Sequence, residues 1–198
     1  MGTSRRLVGA LLAALALVAV AACGGGGSGS ESGAAKAHQG QFAWLQPAGP
    51  PAHWTIARLP SGAAALAYPP GWRAIQSDPG TVSAALMGPD HRIRGYLNAT
   101  PQSGAETVAN WASFRPAHNH EEGDRAVRRL AAAGGLRFRT GSGSCVIDTY
   151  RTVADRYKEI ACIVRGAHAT TVVVGAAEPA AWPALAPQLE RAVSSFTT

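Results

Sequence analysis

The chain has 198 residues, three cysteines and a formal net charge of +6. A positive charge this diffuse does not argue for nucleic-acid binding, and it suits surroundings rich in anionic lipid or polymer. The stretch from Gln41 to Thr198 is long enough for one domain with a real core.

Residues 1–6, MGTSRR, carry two positive charges and no negative ones, and Leu7 to Ala22 holds only Leu, Val, Ala and one Gly. A charged start followed by an apolar run that ends in small residues is an export signal. The run is short for a permanent helical span, which needs about 20 apolar residues. Val20-Ala21-Ala22-Cys23 resembles the lipobox of bacterial lipoproteins. The resemblance implies cleavage before Cys23, lipid on its sulfur and acylation of the new amino terminus; two or more acyl chains anchor stably where one does not. An ordinary secretory signal with an incidental cysteine is the other reading. Ser4-Arg5-Arg6 is a fragment of a twin-arginine signal without the rest of the motif.

Without Arg5 and Arg6 the mature charge falls from +6 to +4. Residues 24–40, GGGGSGSESGAAKAHQG, lack apolar periodicity and read as a flexible tether. Its typical span is on the order of 20 to 25 Å. The expected organisation is therefore a signal peptide over 1–22, a lipidated cysteine and tether over 23–40, and one domain over 41–198.

In the domain, AAALAY (63–68) is an apolar run stopped by Pro69-Pro70-Gly71, and Trp72 opens a second short segment, WRAIQS. Thr81 to Met87 and Arg92 to Ala99 are further strands, separated by turns at Pro79-Gly80 and Gly88-Pro89-Asp90, so this half reads as an antiparallel meander. The period then changes. Ser103 and Glu106 have capping-box spacing, and Val108, Trp111 and Ala112 follow helical steps, which predicts a helix from about Ala105 to Arg115 that ends before Pro116. PAHNHEEG then reads as a polar loop, and Arg125 to Ala131 and Leu136 to Thr140 as two strands.

With Cys23 assigned to lipid, Cys145 and Cys162 remain as an even pair in an exported chain, which points to a disulfide. A hairpin of Ser144 to Arg151 with Arg156 to Val164, turning at Thr152 to Asp155, sets Cys145 opposite Cys162, Ile147 opposite Ile160 and Thr149 opposite Lys158. One register thus serves both the sulfur pairing and an apolar face. Thr170 to Ala177 reads as a strand buried on both faces, and Trp182, Leu185, Leu189, Val193 and Phe196 recur at helical steps. The fold class is α+β, with two helices and about seven strands.

Tyr68-Pro69-Pro70-Gly71-Trp72, the meander, the aromatic helix around Trp111 and a last helix closing on Arg191 to Phe196 resemble the PsbP-like fold over residues 54–197. The resemblance implies an antiparallel sheet with helices on both sides, used chiefly as a docking module and not as an enzyme. The bacterial lipoprotein branch, and within it the actinobacterial one, is more similar than the plant branch, since nothing here marks manganese or calcium ligands.

His118, His120, Glu121 and Glu122 place two imidazoles and two carboxylates within five residues. They are a weak metal candidate against a plain solvated loop, because a site needs further ligands and a supporting shell; His91 and His168 would complete one only by accident of fold. Gly141-Ser142-Gly143-Ser144 does not match a nucleophile elbow and reads as a turn. Arg125, Arg128, Arg129, Arg137 and Arg139 concentrate charge in neighbouring strands, either as a solvated sheet edge or as an anion-binding face for phospholipid or acidic wall polymer. Trp54, Trp72, Trp111 and Trp182 read as core.

The residues thus point to a module anchored by lipid to the extracytoplasmic face of the cell membrane. It would dock an envelope protein or anionic polymer, with no cofactor and no nucleic acid. The alternative is a surface hydrolase or metal-dependent enzyme using the His118 to Glu122 loop.

Overall fold

The computed structural model describes residues 40–198. The signal, the lipidated Cys23 and nearly all of the tether therefore lie outside the described residues. Among these, the elements run β1 (Thr55–Arg58), β2 (Ala65–Tyr68), β3 (Arg73–Ile75), β4 (Val82–Met87), β5 (Ile93–Pro101), α1 (Trp111–Glu121), β6 (Arg125–Arg137), β7 (Ser142–Arg151), β8 (Arg156–Arg165), β9 (Thr170–Ala177) and α2 (Trp182–Ser195).

Seven strands form one antiparallel sheet in the order β3-β4-β5-β9-β8-β7-β6, and β1 and β2 make a separate ribbon. Each half of the sheet is a meander of neighbouring strands; the halves join where β5 pairs with β9. The connection holding α1 carries the chain from the middle of the sheet to its far edge.

Alternation along the strands divides the side chains between two layers. Leu97, Cys145, Ile160, Cys162 and Val173 face α2 and the β1-β2 ribbon, where Leu189, Val193 and Phe196 bury the helix stripe anticipated from its spacing. Val146, Ala161, Ile163 and Val174 face α1 and pack with Trp111. β9 is buried on both sides along almost its whole length. Trp72 and Trp111 are buried, and Trp54 and Trp182 pack partly buried against the core. Gly95 is needed beneath Trp72, because a Cβ there would lie 2.7 Å from the indole ring.

The β7-β8 hairpin has the expected register, with Cys145 opposite Cys162, Ile147 opposite Ile160 and Thr149 opposite Lys158. The two sulfurs are bonded, and both residues are fully buried. Closing a loop of 17-residue separation should contribute about 3 kcal/mol. Replacing both cysteines by alanine is expected to lower the thermal midpoint by roughly 6 to 12 °C, read by calorimetry without reductant; an unchanged midpoint would refute this assignment of stability.

Three expectations are corrected. The helix spans Trp111–Glu121 rather than 105–115, and Pro116 lies inside it. Proline removes the N–H that would bond the Ala112 carbonyl, and Arg129 Nη1 replaces it, donating to Ala112 O at 2.6 Å. Upstream, Asn110 holds a non-helical turn: its Oδ1 accepts from Thr107 N at 2.6 Å and its Nδ2 donates to Ala105 O at 2.9 Å. Second, Arg125–Ala131 and Leu136–Thr140 are not two strands; β6 runs unbroken from Arg125 to Arg137, with irregular pairing at Gly134-Gly135 absorbing the interruption. Third, β1 forms where no strand was expected, because its backbone pairs with β2 while Thr55, Ile56 and Arg58 stay exposed and show no apolar alternation.

Candidate binding cleft and the buried charges beneath it

α1 lies on the sheet through aromatic side chains placed one turn apart. Trp111 and Phe114 stack with centroids 6.1 Å apart, and Phe114 and His118 follow at 5.5 Å. Trp111 Nε1 donates to the Ala161 carbonyl at 2.8 Å, fixing the helix start to β8. Between this ladder and the loop after β5 opens a cleft of 310 Å³, with Ser103, Glu106, Phe114, Arg115 and His118 in its walls.

Glu106 is buried, and its Oε1 accepts from Ser103 N at 2.8 Å. This is half of the anticipated capping box, closing a loop instead of starting a helix. Burial alone would raise its pKa, but the backbone N–H groups of residues 103, 104 and 106 and the nearby His118 outweigh it and hold the carboxyl below its ordinary value. The cleft thus presents an ionised carboxylate, an imidazole and an aromatic face together.

Under the helix lies a denser polar group. Asp148 of β7 and Glu159 of β8 are directly opposite each other, and both are fully buried. Facing carboxylates repel, and α1 supplies the relief. Arg115 Nε donates to Glu159 Oε1 at 2.6 Å and its Nη2 to Oε2 at 3.0 Å, while Asn119 reaches Asp148 at 3.4 Å. Burial opposes the Arg115 charge, but Glu159 more than reverses this and raises the guanidinium pKa. For Asp148, burial first and Glu159 second push the carboxyl up to about 8. Asp148 therefore holds its proton to higher pH than an ordinary carboxyl, and its Oδ2 accepts from Asn119 Nδ2, while Asn119 Oδ1 and Asp148 Oδ1 have no partner among the described residues. Burial and Glu159 also raise Tyr150. The pair resembles an acid-base dyad in composition only, since solvent and substrate cannot reach either carboxylate.

The residues singled out in the sequence fall differently. His118, His120 and Glu121 sit in the last turn of α1 and Glu122 caps it, so they do not form a loop. His118 Nε2 meets Glu122 Oε1 at 3.3 Å, whereas His118 and His120 are separated by about 200° around the helix. Among the described residues no group of three His, Cys, Asp or Glu side chains could hold a metal ion. Ser144 is buried and donates its hydroxyl to Val108 O at 2.6 Å, a structural bond. Arg125, Arg128, Arg137 and Arg139 are exposed; Arg129 serves the helix as described. Sequence reasoning missed Glu106 as a wall of the cleft and Arg115, Asn119, Asp148 and Glu159 altogether. The available signal was two acidic residues directly opposite each other, on the same face as Val146, Ala161 and Ile163, in a hairpin whose register was already legible.

No family model and no curated protein sequence matches the chain. Among solved structures it is similar to cyanobacterial PsbP (CyanoP) from Synechocystis sp. PCC 6803, with a TM-score of 0.53 and 14% identity over 75% of this chain and 94% of that one. It is also similar to LpqN, involved in cell envelope biogenesis of Mycobacterium tuberculosis, with a TM-score of 0.42 and 12% identity over 73% and 89% of the two chains. A third is protein PA94 of Pseudomonas aeruginosa, with a TM-score of 0.43 and 12% identity over 74% and 97%. The antiparallel sheet between two helices, matched by CyanoP over most of both chains, is a PsbP-like α+β fold.

Proposed function

We infer that this protein is an exported binding module, held by lipid on Cys23 at the extracytoplasmic face of the cell membrane, with the cleft beside α1 as its docking site for an envelope partner. The observation that carries this reading is the buried Cys145–Cys162 disulfide. It belongs to an oxidising compartment, and it leaves Cys23 without a cysteine partner, next to a lipobox-like run and a Gly/Ser tether. The cleft supports binding because it is walled by stacked aromatics and a charged carboxylate, while the Asp148–Glu159 carboxylate pair is sealed from solvent.

Cys23→Ser is expected to release the chain from membranes or to block its processing. A photoreactive residue at Ser103, on the cleft wall, should capture a defined envelope component that one at Gln188, on α2, does not. Full membrane retention of a Cys23→Ser chain from which the signal has been cleaved overturns the anchor; equal capture at both positions, or none at Ser103, overturns the cleft.

A further inference from the structure

The strand register gathers arginines at one end of the sheet. Arg137 of β6 pairs with Ser142, Ser142 with Arg165 of β8, and Arg165 with Thr170, so Arg137 and Arg165 stand in one transverse row. Arg139 follows in the β6-β7 turn, and Arg58 ends β1, paired with Ala65, which bridges to Thr197. Arg139 lies between two hollows: one of 580 Å³ shared with Leu45, Pro47 and Arg137, and one of 200 Å³ shared with Ile56 and Arg58.

All four arginines are exposed, and among the described residues none makes an ion pair or a side-chain hydrogen bond, unlike Arg92, Arg94 and Arg115. No Asp or Glu occurs in residues 40–58, 138–142 or 165–170. Like charges gathered without counterions make a strong local field. Apolar surface accompanies it: Ile56 is 50% exposed, and Leu45 and Pro47 stand beside Arg137 and Arg139. Arginine next to exposed apolar groups is the composition that meets the headgroup region of a bilayer.

Chain path gives this end its orientation. The described chain starts at Gly40, and Phe42, Trp44 and Leu45 pack onto the core within five residues of it, Leu45 in the wall of the arginine hollow. A Gly-rich tether of the length expected from sequence for residues 24–40 would span about 20 to 25 Å, so an anchor at Cys23 would keep this end of the domain close to the membrane. At the other end of β6, Arg125 and Arg128 lie near the acidic run of Glu121, Glu122 and Asp124.

We propose that the end of the sheet formed by Arg58, Arg137, Arg139 and Arg165, with Leu45, Pro47 and Ile56, rests on the anionic phospholipid surface to which the chain is tethered. This rests on the anchor reading above and narrows the anion-binding face expected from sequence to the Arg137 end of β6.

The test uses the mature chain, freed of residues 1–22 and carrying Cys23→Ser so that no signal and no acyl chain contributes, and vesicles of phosphatidylglycerol mixed with phosphatidylcholine or of phosphatidylcholine alone. Sedimentation should show binding to the anionic vesicles only. Each arginine near the surface is worth about a fivefold change in partition, so Arg137→Gln/Arg139→Gln/Arg165→Gln should weaken binding roughly 100-fold. Arg125→Gln/Arg128→Gln should change it less than about twofold at physiological salt. The substituted side chains are exposed, and an unchanged thermal midpoint confirms folding. Equal binding by the triple variant, or equal loss in both variants, overturns the proposal. So does binding to soluble hyaluronate, lost in the triple variant, without binding to vesicles, which would make the partner an acidic polymer. Failure of the anchor reading is separate: it shows as an unacylated amino terminus in cells by mass spectrometry, whatever the vesicles report.

Discussion

Arg115→Ala should destabilise the fold by about 3 to 5 kcal/mol, lowering the thermal midpoint by roughly 6 to 20 °C. The size follows from what is left behind. Glu159 has no solvent exposure and faces Asp148 across the hairpin, and its two oxygens take the forked pair of bonds from Arg115 at 2.6 and 3.0 Å. Without the guanidinium a buried carboxylate has neither counter-charge nor water. Lysine cannot reproduce the two-pronged geometry, so Arg115→Lys should lose a substantial part of the same stability. The double replacement Arg115→Met/Glu159→Leu should recover most of it, because removing both charges together leaves nothing unpaired. Urea denaturation of the three variants decides this. A loss under about 1 kcal/mol for Arg115→Ala would show that Glu159 finds another partner or takes up a proton, and the ion pair would then not be what seats α1.

Asp148→Asn should stabilise the protein, and the gain should depend on pH. In the unfolded chain Asp148 ionises near its ordinary 3.8, whereas burial and Glu159 push it up to about 8 in the fold, against the pull of Arg115 and with a further push from Asp124. A group whose folded pKa is raised stabilises fully below the unfolded value, and that contribution is lost as pH rises through the folded one. The native protein should therefore lose stability from this site between pH 3.8 and about 8. Asparagine stays neutral throughout and keeps the shape and the bond to Asn119. The two proteins should have similar midpoints near pH 4 and diverge above it. A full gap would correspond to roughly 6 kcal/mol; relaxation and coupling to Glu159 reduce the expected gain at pH 8 to about 2 to 4 kcal/mol, or about 5 to 10 °C. Parallel midpoint-pH curves for the two proteins would show that Asp148 does not carry the neutral proton.

Both experiments address residues invisible to motif reading. Asp148 and Glu159 sit within strands whose existence, direction and register were legible, yet a carboxylate in a strand is ordinarily on the wet face. What makes this face dry is α1, and its position was the least legible element of the chain. Ser103 and Glu106 advertised a helix start, and Pro116 advertised its end. The actual helix begins at Trp111 and passes through the proline. Its stability is tertiary: Trp111 bonds a β8 carbonyl, Arg129 satisfies the carbonyl that Pro116 leaves open, and Arg115 and Asn119 engage the two carboxylates. None of these partners lies in the helix, and local propensity does not count them. The placement of α1 also decided the fate of the metal candidate. Once residues 118–121 are helical, His118 pairs with Glu122 and no longer with His120.

The β-structure behaved in the opposite way. β9 begins and ends where its unbroken apolar run does, and the β7-β8 register follows from a four-residue turn and two cysteines that must meet. In strands, side-chain period and turn length are local quantities, and a slip of one residue would move Cys145, Ile147, Ile160 and Cys162 to the wrong face together. The sequence by itself thus determined the hairpin, its disulfide, the α+β class and the amphipathic last helix. Only the tertiary structure decided where α1 lies, that Arg115 neutralises Glu159 from 44 residues away, and that Arg58, Arg137, Arg139 and Arg165 gather at one end of the sheet. Those outcomes depend on which distant groups meet, and desolvation of a charge or loss of a helical hydrogen bond is settled by the partner that arrives.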